Sequence, residues 1–203
     1  EIAPESILIG ITALEFSLAG DFDQRTYELT YAPADANHSC IVGPRSGGAH
    51  KTLQWINETV IPAAMAKLEM TRGEVSIAGG SLGGLTSCYA AAVMPEVFAR
   101  AICMSPSNCF NWATGGLATV IRDHHRVSGG KALPKTVVQY LGAEVYNQSQ
   151  ADYLVRDQKA WEDIGLKPLL MTYDHWPKQD EGGFTFYSLR QLNKPSIMSF
   201  VYY

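Results

Sequence analysis

The sequence predicts an α/β fold, a mostly parallel sheet flanked by helices, and three observations predict it. Short apolar runs of strand length alternate with longer segments of helical period. Those runs are apolar nearly throughout, as in strands covered on both faces. A glycine-rich turn, Gly79-Gly80-Ser81-Leu82-Gly83, joins one run directly to a helix of small residues. With 203 residues the chain is long enough for one domain with a sizeable core.

The elements follow in order. Residues 6–13 (SILIGITA) read as a strand buried on both faces. Residues 17–48 are polar and rich in glycine and proline, which predicts a long surface connection. From Ala49 to Met70, Leu53, Ile56, Val60, Ala64 and Leu68 recur at helical spacing, and Pro62 should kink or divide that helix. Glu74–Ala78 is a second strand, and Leu82–Met94 is a small-residue helix stopped by Pro95. Phe98–Met104 and Thr136–Leu141 are further strands, with His124 and His125 on a helix between them. Ala151–Ile164 is a helix closed by Gly165, Pro168–Tyr173 a fifth strand, and a last helix is expected beyond it. Such alternation calls for parallel strands joined by crossover helices. All of it fits one domain over residues 1–203, with 108–131 as an insertion suited to a lid.

Composition narrows the function classes. A net charge of −4 with scattered Lys and Arg argues against a nucleic-acid or anionic-membrane surface. No apolar run approaches the ~20 residues needed to cross a bilayer. The four cysteines, Cys40, Cys88, Cys103 and Cys109, lack the C-x-x-C spacing of a metal site, and read as free apolar thiols. N-x-S/T triplets at Asn37, Asn57 and Asn147 leave the compartment open, secretion included.

The chemistry lies in the glycine-rich turn. A serine hydroxyl is a poor nucleophile unless it is exposed, rigid and provided with a base. A sharp strand-to-helix turn supplies the first two conditions, and glycines two residues either side allow it. The first turn of the following helix offers backbone N–H groups to a developing oxyanion, beginning with that of Leu82. A phosphate loop would instead want a Walker lysine or a G-x-G-x-x-G register, and neither is present.

The stretch from Asn57 to Ser107 resembles the putative-esterase branch of the α/β-hydrolases, which includes enterochelin esterases and esterase D-like enzymes. The resemblance is carried by Glu58 to Pro62, Gly79 to Gly84, Pro95 to Phe98 and Ser105-Pro106-Ser107. Upstream, Arg25 to Thr30 and Gly47-Gly48-Ala49 add to it. It covers residues 5–110 well and the remainder loosely. It implies a serine carboxylesterase acting through an acyl-enzyme on a small-molecule ester, with no metal or organic cofactor. Acyl transfer at the same site would look identical in sequence. The resemblance also implies that the N-terminal strands, with the second oxyanion donor, are missing from this sequence or supplied by another chain.

The resemblance calls for a histidine after the last core strand and an acid after the strand before it. His175 follows the strand ending at Tyr173 and is the candidate base. His38 and His50 precede the serine, the wrong order. The family's histidine commonly follows a Gly-Gly pair, but Gly182-Gly183 here is followed by Phe184. A non-catalytic binding or assembly module is therefore the alternative. Glu144, in a segment resembling the family's G-x-E, is the candidate acid; Asp152 is the alternative, and Asp174 adjoins His175 too closely. Phe110 and Trp112 could line an acyl or aromatic pocket or belong to the core.

Overall fold

The computed structural model describes residues 7–11, 22–37, 39–40, 45–69, 71, 73–130, 132–141 and 148–172. Its frame is a four-stranded parallel sheet of β1 (Val75–Gly80), β2 (Phe98–Met104), β3 (Thr136–Leu141) and β4 (Leu169–Thr172), in sequential order. The crossovers are α4 (Leu82–Val93), α5 (Gly116–Val127) and α6 (Gln148–Asp163). Successive right-handed crossovers that advance the same way along a sheet place their helices on one face. Accordingly α4 packs on α5, and α5 on α6.

Helix α4 is buried almost all round, as its Ala, Gly, Cys and Leu content foreshadows. Its small residues let the sheet approach closely. Leu85, Phe98, Leu117, Ile121, Val137 and Trp161 fill the main core around it. The opposite face carries a smaller cluster of Ile102, Met104, Val138 and Tyr140. At the amino ends of the strands, Glu74 forms ion pairs with Arg100 and Lys135.

Several expectations are corrected. The 17–48 connection contains a helix, α1 (Phe22–Leu29), which packs on α2 (Ala49–Trp55) and α4. Its short amphipathic pattern is outweighed in sequence by the surrounding polar and turn-forming residues. The Ala49–Met70 helix comprises α2, a π-helical turn over Ile56–Val60, and α3 (Ile61–Lys67). Pro62 has no N–H to give Glu58, and its ring would crowd that carbonyl; the wider turn just before it accommodates both. Residues 7–11, read as a buried strand, are instead exposed and neither helix nor strand, with Leu8 96% exposed. They pair with no strand among the described residues. An apolar trough of about 1250 Å3 separates them from β1, whose outer edge is likewise unpaired among those residues.

The cysteines are paired, contrary to the free-thiol reading. Cys88 on α4 bonds Cys103 on β2, and Cys40 bonds Cys109 across 69 residues of sequence. Apolar surroundings suit a buried thiol and a buried disulfide equally, so only the Cα–Cα approaches of 5.5 and 5.8 Å decide. No described helix is long and apolar enough to cross a membrane.

Candidate active site

Ser81 stands between β1 and α4 with φ 57° and ψ −119°, a conformation non-glycine residues rarely adopt. Such strain persists only where the surroundings over-determine it. Here both ends of the residue are held. Its N–H donates to the Met104 carbonyl at the end of β2 (3.0 Å). Its carbonyl accepts from the N–H of Leu85 in α4 (3.0 Å) and from that of Ser107 (3.1 Å). The turn leaves Ser81 exposed.

The glycines beside it have unequal tasks. A Cβ on Gly79 would stand 2.5 Å from the Gly83 carbonyl carbon, and one on Gly84 would stand 2.7 Å from the Met104 oxygen. A Cβ on Gly83 would meet nothing within 4 Å. The close approach of strand and helix therefore needs Gly79 and Gly84, not the symmetric Gly79/Gly83 pair that the motif suggests.

Beyond β2 the chain turns sharply at Ser105, which has φ 39° and donates its N–H to the Tyr140 carbonyl (2.6 Å). Two residues on, the Ser107 hydroxyl lies 3.4 Å from that of Ser81. Leu82 opens α4, where N–H groups have no i−4 carbonyl to bond, and its side chain is buried.

Because the strands are parallel, β3 and β4 end at the same end of the sheet as Ser81. Glu144 and His175 follow those strands in sequence and lie outside the described residues, as do His38, Asp174 and Gly182-Gly183-Phe184. Asp152 is exposed in the second turn of α6, which starts from that same end. His124 and His125 occupy the last turn of α5. That helix has 12 residues and runs back against the strands, so its last turn lies ~12 Å or more along the axis from its start, toward the end of the sheet opposite Ser81. His50 is exposed on α2. Among the described residues no three His, Cys, Asp or Glu side chains converge to hold a metal ion.

Phe110 is fully buried, edge-on to Tyr31 at 5.1 Å, and belongs to the main core. Trp112 is 42% exposed and stacks on Tyr153 at 6.3 Å. The described part of the 108–131 segment contains α5, whose Leu117, Ala118 and Ile121 are core residues.

Arg156 on α6 ties this segment down. Its guanidinium donates to the carbonyls of Trp112 (2.9 Å) and Asn108 (3.4 Å) and lies over the Tyr153 ring. A Cβ at Gly116 would stand 2.5 Å from it. Next to it Asp157 is fully buried, with its Oδ1 3.5 Å from Arg156 Nε. Burial pushes the Asp157 carboxyl up to about 7, against the pull of Arg156, the Ala118 N–H and Arg122. Burial first, then the Asp157 charge, raises the Tyr31 phenol above its ordinary range. In sequence, Ser107 was only part of a family pattern, and Arg156 and Asp157 carried no signal at all.

A family model described as "Putative esterase" matches residues 9–162. No curated protein matches the chain. Among solved structures it is similar to the siderophore hydrolase EstB from Aspergillus nidulans, with TM-score 0.58, 22% identity, and 74% of this chain aligned to 57% of that one. It is similar to the BES protein from Bacillus cereus, with TM-score 0.58 and 17% identity over 74% and 57% of the two chains. The enterobactin esterase FES from Shigella flexneri gives TM-score 0.55 and 16% identity over 76% and 36%. At these identities the likeness is one of fold. The chain spans less than two thirds of the length of each of these structures.

Proposed function

This chain belongs to the putative-esterase family, and on that premise we propose that it is a serine carboxylesterase working through an acyl-enzyme on Ser81. The observation that carries the reading is the strained, doubly anchored backbone of Ser81, which presents its hydroxyl to solvent at a strand-to-helix turn. That is the geometry a nucleophile elbow requires.

In the proposed reaction the Ser81 Oγ attacks the ester carbonyl while its proton passes to the imidazole of His175. The backbone N–H of Leu82 donates to the oxyanion that forms. Collapse breaks the bond to the alkoxide, which takes the proton from His175 and leaves as the alcohol. Water then attacks the acyl-enzyme by the same route in reverse, releasing the acid and restoring Ser81. Glu144 or Asp152 orients the imidazole. What supports His175 is its position after β4 in the sequence, together with the place of His124 and His125 in the last turn of α5, away from the strand ends that carry Ser81.

A fluorophosphonate probe tests the nucleophile: Ser81 should be labelled and Ser81→Ala should not. An unlabelled wild type would end the esterase reading. Hydrolysis of a short-chain p-nitrophenyl ester then tests the base, since His175→Ala should lose at least ~100-fold in kcat. An unchanged rate removes His175 from the role.

A further inference from the structure

We infer that Ser107 is a positioning residue for Ser81, its hydroxyl holding the Ser81 Oγ and donating to that oxygen as it loses its proton. The inference deepens the esterase reading and rests on it. The segment Met104–Ser107 grips Ser81 at three points. The Met104 carbonyl accepts the Ser81 N–H, the Ser107 N–H donates to the Ser81 carbonyl, and the two hydroxyls face each other at 3.4 Å.

The local chain is shaped to bring this about. Met104 is the last residue of β2, and going straight on would carry the backbone away from the turn. Ser105, left-handed at φ 39° and tied to Tyr140, reverses it instead. Pro106 is buried with its φ preset, so Ser107 returns over Ser81 with little freedom. Ser107 itself is half-buried. This is a second unusual backbone conformation serving the first, and strain of that kind collects where geometry matters to chemistry.

The chemistry follows from the hydroxyl pair. A separation of 3.4 Å is a slack hydrogen bond between neutral groups. When the base draws the proton from Ser81, its Oγ becomes a stronger acceptor, and a hydrogen bond to a charged oxygen shortens and strengthens. Ser107 keeps its own proton throughout and contributes more in the transition state than in the resting enzyme, the condition for raising kcat rather than lowering KM. It also leaves the Ser81 proton free to point at the base.

The test measures the second-order rate of Ser81 labelling by a fluorophosphonate between pH 6 and 9, on intact wild type, Ser107→Ala and Ser107→Thr, with a thermal melt of each. Ser107→Ala should label roughly three- to tenfold more slowly, with its profile displaced to higher pH, and Ser107→Thr should recover most of the rate. Melting temperatures should agree within about 2 °C. The proposal is overturned if Ser107→Ala labels like wild type across the pH range. It is equally overturned if Thr fails to rescue while both variants melt early, which marks a structural role. A wild type that does not label fails at the earlier step and removes the esterase reading itself.

Discussion

Gly84 lies beneath Met104 so closely that a Cβ at Gly84 would stand 2.7 Å from the Met104 carbonyl oxygen. That carbonyl already accepts the Ser81 N–H. Gly84→Ala should therefore displace the strand end that holds Ser81, costing about 1–3 kcal/mol. Gly83→Ala meets open space and gains helix propensity, so it should be neutral or stabilising by up to ~1 kcal/mol. Urea unfolding of the two variants distinguishes them. Equal losses would contradict the packing described.

Asp157 gives stability a pH dependence of defined sign. Its carboxyl titrates near 7 in the folded protein, against the ordinary 3.8. Between about pH 4 and 7 the folded state holds a proton that the unfolded chain has released. This contribution to stability is full below that window, falls as pH rises through it, and is absent above. Asp157→Asn removes the titration, so its melting temperature should fall less than that of wild type from pH 5 to pH 8. Parallel melting profiles would place the Asp157 titration outside this range.

Both disulfides should be detectable in solution. The unfolded protein should take up no alkylating label before reduction and four afterwards, read by mass spectrometry, because no described cysteine is free. Replacing Cys40 and Cys109 together by Ala opens a closure of 69 residues and should cost ~2–4 kcal/mol in urea unfolding. Cys40 is exposed whereas Cys88 is fully buried, so mild reductant should open the Cys40–Cys109 bond first.

Arg156 holds two backbone carbonyls with one planar fork, a task Lys cannot perform. Arg156→Lys should cost ~1–2 kcal/mol, and Arg156→Ala more, since it also strips Asp157 of its nearest cation. Chemical denaturation at pH 8 reads both. Hydrogen exchange should rise at 108–116 in each variant, and unchanged exchange there would separate Arg156 from the loop.

How much could be read in advance depended on how local the cause was. Leu82–Val93 as a small-residue helix and Phe98–Met104 as a strand follow from composition and period, which act within a few residues. Helix α1 was hidden because its support comes from α2 and α4, distant in sequence. Residues 7–11 have the apolar run of a buried strand yet stay exposed among the described residues, because apolar composition is local and burial depends on contacts distant in sequence.

The sequence alone determined the parallel α/β class, the family, and Ser81 at the tip of a strand-to-helix turn, because periodicity and glycine placement are written residue by residue. Tertiary structure decided the rest. It paired the cysteines, moved the close approach from Gly83 to Gly84, put His124 and His125 at the far end of the sheet, and brought Ser107 against Ser81. Each of those depends on which atoms stand within a few ångströms across separate strands and helices. Spacing along the chain carries no record of that.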